Sequence, residues 1–413
     1  MLRSMYSGIS GMKNFQTKLD VIGNNISNVN TFGFKKGRVT FKDTMNQMVA
    51  GASAASADRG GKNPMQVGLG SALATIDTIH TGASLQSTGR ALDLGIDGDG
   101  YFVVKQGNAE FYTRAGNFYL DDQGNLVNGD GLKVQAYKID PVTNLPTNQY
   151  GDVAVNVNAV QPAAKTENIT VTENLSAKTI ANSTSSVFTQ QIKVVDSKGN
   201  EHRVDVHFKK TADNQWDVFV NKDLNATPAP APDTQLTFNA PNATTDPGKL
   251  NNASTSPIII DLPDATNQLS INLDFSKLTQ LDEATTAIVG PDGNTEGRLE
   301  SFNIGASGEI NGVYSNGQVN KLGVLAIAKF SNSSGLQKAG NNLFQESINS
   351  GTPNIGSPGN GRGAIAPGSL EMSNVDLSEE FTEMIVTQRG FQANTRIITT
   401  SDEILQELVN LKR

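Results

Sequence analysis

Residues 375–411 read VDLSEEFTEMIVTQRGFQANTRIITTSDEILQELVNL, and their spacing decides the architecture. Leu377, Met384, Phe391, Ile398 and Leu405 fall seven apart, flanked by Ile397, Ile404 and Leu411. Glu379, Glu380, Glu383, Arg389, Arg396 and Glu407 supply a polar face. The pattern predicts an amphipathic helix with a coiled-coil-like seam. At about 1.5 Å per residue, Val375 to Leu411 makes a rod of about 55 Å. Asn374 and Asp376 are the candidate N-caps, and Glu379 stands three residues after Asp376, the spacing of a capping box.

The other end of the chain repeats the pattern. Met5, Met12, Leu19 and Ile26 fall seven apart, and Phe15, Ile22 and Val29 form a second row beside them. The helix is expected to fray over Asn24 to Asn30, where Asn and Ser side chains compete for backbone hydrogen bonds. Either helix alone would read as packing on its own subunit's core. Two heptad-like stripes at opposite ends of one chain point instead to a seam between helices. The candidate self-assembly residues are Met5, Ile9, Met12, Leu19, Ile22 and Ile26, with Leu377, Met384, Phe391, Ile398 and Leu405.

Between the ends the texture is β. Leu92 to Ile96, the turn Asp97-Gly98-Asp99-Gly100 and Tyr101 to Val104 read as a hairpin. Asn117 to Leu120, the turn Asp121 to Gly124 and Asn125 to Val127 read as another. Gln191 to Val195, Ser197 to Asn200 and His202 to Phe208 read as a third, answered by Trp216 to Val220. Ala50 to Asn63 and the Gly-rich stretch Gly351 to Gly368 read as connectors, and Ala226 to Pro232 as an extended Pro-rich loop.

The expected fold class is therefore mainly β with terminal α-helices, as nested β-rich domains inserted between N- and C-terminal coiled-coil-like helices. The expected organisation is paired terminal helices over 1–30 and 375–413, and linker segments at 31–67 and 362–374. A β-rich middle domain covers 68–155 and 295–361, and an inserted β-rich outer domain covers 156–294. With 413 residues, a sizeable core is available.

Composition narrows the function classes. The formal charge of −8 is spread along the chain without a Lys/Arg block, which argues against nucleic acid. The widest apolar run, Leu322 to Phe330, is far short of the roughly 20 residues of a membrane span and carries Lys329, so no membrane insertion is expected. With no Cys, disulfides, thiolate metal sites and cysteine nucleophiles are excluded. The N-terminus lacks the apolar core and cleavage site of a signal peptide, so a chain that leaves the cell needs another route.

Nor does a catalytic set emerge. His202 and His207, five apart in a strand, lie on opposite faces and cannot chelate one ion, and His80 stands alone, expected at the surface or on an edge strand. Asp97 to Gly100 and Asp121 to Asn125 have calcium-like oxygen spacing but lack the closing carboxylate, and read as Asp-Gly and Gly-Asn turns. Gly68-Leu69-Gly70 lacks a third glycine, and neither a Walker sequence nor a Gly-x-Ser-x-Gly elbow occurs. Sequons such as Asn168-Ile169-Thr170 fit chance in an Asn- and Thr-rich chain. The expectation is a non-enzyme without cofactor or metal. A secreted β-rich adhesin or binding module is the alternative from another class, and it leaves the terminal heptads unexplained.

Three blocks carry a resemblance. Leu19 to Asn28 with Thr31-Phe32-Gly33-Phe34-Lys35 resembles the N-terminal motif of the flagellar rod and hook protein family. Thr88 to Leu94, Asp99 to Phe102 and Phe111 to Gly116 resemble its central block. Ser373 to Leu377, Met384-Ile385, Gln388-Arg389, Phe391 to Asn394 and Leu408 to Leu411 are similar to its C-terminal motif. Asn24, Asn25, Gly33, Phe34, Asn374, Gln388 and Arg389 are the motif residues carried over. The similarity covers roughly 1–135 and 300–413 and is weak from about 140 to 295.

The resemblance implies a structural subunit of the hook, a flexible curved tube outside the cell that transmits torque from motor to filament. The long insertion favours this over the shorter rod proteins. The segment from Asp43 to Gly68 resembles an extra stretch of the distal rod protein, which is the alternative within the family. The implied partners are other copies of the chain, distal rod and hook–filament junction proteins, a hook cap protein and the flagellar type III export apparatus.

Overall fold

The computed structural model describes residues 2–54, 59–140, 143, 145–156, 159–183, 186–240, 246–251, 257–261 and 268–411. Its chain divides into two compact units. Unit 1 comprises 1–156, 302–311 and 321–413, and unit 2 comprises 157–301 and 312–320. The class is mainly β, with one long helix at each end.

In unit 1, helix α1 (Leu2–Ser27) pairs with helix α2 (Leu377–Asn410). Asp376 is the N-cap of α2, accepting from the amides of Ser378 at 2.8 Å and Glu379 at 3.4 Å. The capping box is half made, because the Glu379 carboxylate accepts from Lys36 Nζ at 2.8 Å instead. Asn374 does not cap. Its Oδ1 accepts from the Lys36 amide at 2.8 Å and its Nδ2 donates to the Ile79 carbonyl at 2.9 Å. The fraying expected from Asn24 onward is delayed, since α1 continues to Ser27. Asn25 is buried, and its amide exchanges two hydrogen bonds of 2.9 Å with the Gly37 backbone, so it does not compete with the helix.

The stretch expected as a linker after α1 is a two-stranded ribbon. β1 (Gly37–Asp43) and β2 (Asn46–Ala50) form one side, and β3 (Met65–Gly68) and β4 (Ser71–Thr78) form the other, with β1 paired to β4 and β2 to β3. Val39 stands opposite Ile76, and the neighbouring Thr40 and Thr75 hydroxyls bond across the ribbon at 2.6 Å. The ribbon rests on α1 through the Phe15–Phe41 edge contact at 6.3 Å and through Asn14 Nδ2, which donates to Ser71 O at 2.9 Å.

The β body of unit 1 is built around the strand Tyr101–Gln106, which pairs with Ala109–Thr113, Lys133–Ile139 and Ile327–Lys329. Its core includes Tyr101, Val103, Tyr112, Phe330 and Phe344. The first expected hairpin is not formed. The strand Leu94–Asp97 pairs with Ala364–Pro367, while Tyr101–Gln106 turns to other partners. That second strand lies inside the Gly-rich stretch expected as a connector. Its glycine serves close approach, since a Cβ on Gly363 would stand 2.7 Å from the Asp97 carbonyl. The second hairpin is present, with Leu126 opposite Leu120. The Asp121 carboxylate closes its turn, accepting from the Gln123 amide at 2.9 Å and the Asn125 amide at 2.7 Å.

Unit 2 has two four-stranded sheets, and residues from both share one core. One sheet contributes Ile169, Leu175, Leu273 and Phe275, and the other Val204, Phe208, Trp216 and Leu236. In the first sheet Asn168–Ser176 runs parallel to Gln268–Leu281. The third expected hairpin lies in the second, where Val187–Val195, Glu201–Ala212 and Gln215–Val220 are consecutive antiparallel neighbours. Burial alternates along Glu201–Ala212, with Val204, Val206 and Phe208 inward and His207 outward. His202 and His207 are bound separately, His202 to Asp196 at 3.2 Å and His207 to Thr189 at 2.7 Å.

Candidate self-assembly interface

The two long helices meet along a row of small and polar side chains. On α2 the row is Glu380, Thr387, Asn394 and Ser401, again seven apart, and three of these are almost fully buried, with Glu380 5%, Thr387 1% and Ser401 7% exposed. On α1 the facing residues include two glycines. A Cβ on Gly11 would stand 2.9 Å from Asn394 Oδ1, and one on Gly8 would stand 3.4 Å from Ile398. Across the seam, a Cβ on Gly390 would stand 2.8 Å from the Phe15 ring. Polar bonds then fix the pair: Asn25 Nδ2 donates to Glu380 Oε2 at 3.1 Å, and Lys18 pairs with Glu383 at 3.0 Å. Burial pushes the Glu380 carboxyl above its usual range, and the Asn25 hydrogen bond and the Lys36 charge oppose that rise.

The apolar rows consequently do not close within the subunit. Ile22 is buried at 3% exposure, and Met5, Met12, Leu19 and Ile26 are half-buried, whereas Ile9 is 45% exposed. On α2, Met384, Phe391, Ile398 and Leu405 are half-buried and Leu377 is exposed. Phe381, Ile385, Val386, Ile397 and Ile404 extend this uncovered surface along α2. The ribbon adds Met45, Met48 and Met65, all exposed. Sequence periodicity thus found the rows, but the polar α2 residues that face α1 lie three residues further along each repeat, opposite glycines that allow close approach.

The motif residues divide by environment. Gly33 has φ of +71°, and a Cβ there would lie 2.5 Å from the Ala115 amide nitrogen, so no other residue fits. Phe34 is buried, with Lys338 Nζ 5.0 Å from its ring centroid. Gln388 and Arg389 face solvent beside one another, as does Asn24. Three residues absent from the candidate set meet in the interior near this junction: Lys35, Arg114 and Glu371. Burial pulls the Lys35 ammonium below its usual range and Glu371 opposes this. Their signal in the sequence is a charge set among apolar neighbours, as Glu371 stands between Leu370 and Met372. His80, expected at the surface, is half-buried against Tyr101 and Phe344.

Among the described residues no group of three or more His, Cys, Asp or Glu could hold a metal ion, and no helix is long and apolar enough to cross a membrane.

Comparison with known proteins agrees with this arrangement from end to end. Residues 5–35 match the family model described as flagella basal body rod protein, and 95–183 match the flagellar hook protein FlgE/F/G D1 domain. Residues 165–293 match the flagellar basal body protein FlaE D2 domain, and 366–411 match the C-terminal model of the flagellar basal body rod FlgEFG proteins. The flagellar hook protein FlgE of Borreliella burgdorferi is 40% identical over 444 residues, covering 100% of both chains. That of Escherichia coli is 35% identical over 98% of each chain. The flagellar basal-body rod protein FlgG of Bacillus subtilis is 40% identical over 415 residues, again covering 100% of both chains. The crystal structure of Helicobacter pylori flagellar hook protein FlgE2 shares the fold with a TM-score of 0.52 at 15% identity, covering 70% of this chain and 100% of that one. Motifs, helix-terminated β architecture and full-length relatives together place the chain in the flagellar hook and rod protein family.

Proposed function

We propose that the chain is the structural subunit of a flagellar hook, polymerising through its terminal helices into a flexible curved tube that transmits torque from motor to filament. The observation that carries this reading is the uncovered apolar surface on α2, from Phe381 to Ile404, beside an intrachain seam made of glycine and polar residues. Burying such a side chain from full exposure is worth roughly 1.5–3 kcal/mol, and covering the part of each that is still exposed favours a lattice of helix pairs over separate subunits. The candidate residues Met5, Ile9, Met12, Leu19, Leu377, Met384, Phe391, Ile398 and Leu405 supply that contact. In this reading α1 and α2 line the inner tube and the β-rich units form layers outside it. A bending tube requires subunits that slide between nearly equal spacings, which wet polar contacts allow more readily than a close-packed apolar core.

Such a subunit works without catalysis. Its partners are further copies of itself, the type III export apparatus, the cap protein, and the rod and junction proteins at either end of the hook. The rod reading is kept open by the full-length Bacillus subtilis rod relative and by the long β1–β4 ribbon. Substitution separates assembly from folding. Met384→Asp and Phe391→Asp abolish polymer while the emission of Trp216, the single tryptophan and part of the unit 2 core, stays unchanged. Intact hooks from either variant contradict a helix-driven assembly.

A further inference from the structure

Among the described residues, one ion network is shut off from solvent. The side chains of Lys35 and Glu371 are 0% and 1% exposed, and that of Arg114 is 3% exposed. Glu371 Oε1 accepts from Lys35 Nζ at 2.7 Å and from the Ala83 amide at 3.1 Å, while Oε2 accepts from Arg114 Nη1 at 3.1 Å. Lys35 Nζ also donates to the Thr81 carbonyl at 2.7 Å. One carboxylate therefore holds the stretch leaving α1, the stretch after β4, the end of the strand Ala109–Thr113, and its own strand Ser369–Glu371, which precedes α2.

Stability alone does not account for such a network. Apolar residues of similar volume often replace a buried ion pair without loss, and the best-attested role of buried polar groups is to fix register. Here the network sits where both terminal helices are rooted, and the backbone is tied at the same place. The Gly33 amide donates to the Glu371 carbonyl at 2.8 Å, and Asn374 bridges Lys36 and Ile79. The helix seam beyond this root runs through glycines and polar side chains, and apart from Ile22 the candidate apolar rows beside it stay half-buried or exposed. Helices that gain little from packing are marginal in water, so their pairing depends on the local concentration at which their roots hold them.

We propose that Glu371 is a positioning residue, whose doubly engaged carboxylate clamps the segment leaving α1 to the segment entering α2 and thereby sets the pairing of the terminal helices. The clamp is a matter of bonds to both oxygens, and not of charge balance alone. That distinction is testable. Glu371→Gln leaves Lys35 and Arg114 facing each other without an anion. The double variant K35M/E371Q restores the original net charge of the site without restoring the bridge.

The experiment is amide hydrogen exchange, read by mass spectrometry on the full-length monomer. In both variants α2 is expected to exchange about tenfold faster or more, with the unit 1 strands Tyr101–Gln106 and Lys133–Ile139, unit 2 and Trp216 emission unchanged. Glu371→Asp, which keeps the charge but shortens the reach, falls between. If K35M/E371Q exchanges at the wild-type rate, charge balance alone is sufficient and the clamp is overturned. Faster exchange of those unit 1 strands together with α2 also overturns it, because the carboxylate would then support the β body of unit 1 and not the helix pairing. The readout uses the monomer, so it stands independently of the hook reading.

Discussion

His80 shows how a single side chain takes its properties from segments distant in sequence. Its Nδ1 lies 2.7 Å from the Tyr101 hydroxyl, its ring stands 5.3 Å from that of Phe344, and its Nε2 is buried without a hydrogen-bond partner. Burial first, then the nearby charges of Lys35, Lys338 and Arg114, pull its pKa down from 6.5 to about 4. The folded protein thus holds His80 neutral where the unfolded chain takes up a proton, so its contribution to stability is complete above about 6.5 and is lost as pH falls towards about 4. His80→Phe keeps an aromatic ring and removes the titration. Unfolding of unit 1, followed by far-ultraviolet circular dichroism at a series of pH values, is expected to show a shallower loss between pH 6.5 and 4 in the variant. Equal slopes contradict the assignment. The sequence left His80 at the surface or on an edge strand because the three cations and Phe344 that surround it come from positions 35, 114, 338 and 344, which no local pattern connects.

At the scale of elements, α2 was legible in its extent and its cap, since the heptad rows and Asp376 are local features. Which row faces α1 was not. Periodicity weighs apolar residues, and the seam uses Glu380, Thr387, Asn394 and Ser401 against glycines, a solution chosen by the distance between the helix axes. Gly390 measures that distance directly. Gly390→Val gains intrinsic helix propensity, about 0.3–1 kcal/mol on host–guest scales. It also drives methyl groups into the Phe15 ring, at a cost of about 1–3 kcal/mol for overpacking. The expected outcome is a weaker helix pair, seen as a lower first transition in thermal unfolding at 222 nm. A variant more stable than wild type contradicts the close approach. The strand Leu94–Asp97 illustrates the same limit for sheets. Its turn residues suggested the next strand as partner, but the actual neighbour lies at Ala364–Pro367, just after Gly363, whose missing Cβ leaves room for Ile96 and Asp97.

At the scale of the molecule, the β-rich, helix-terminated class and the family were legible because three motif blocks stand in order along the chain. The ribbon β1–β4 was not, because the small polar residues near its tip resemble a linker while the strand pairing depends on residues on both sides of it. The central claim is that the uncovered helix rows draw the chain into a hook. It is tested most directly by electron microscopy of flagella sheared from the source cells and labelled with antibody against residues 156–294. Label along the short curved segment between filament and basal body is the predicted result; label confined to the straight rod, or absent from every flagellar part, contradicts it.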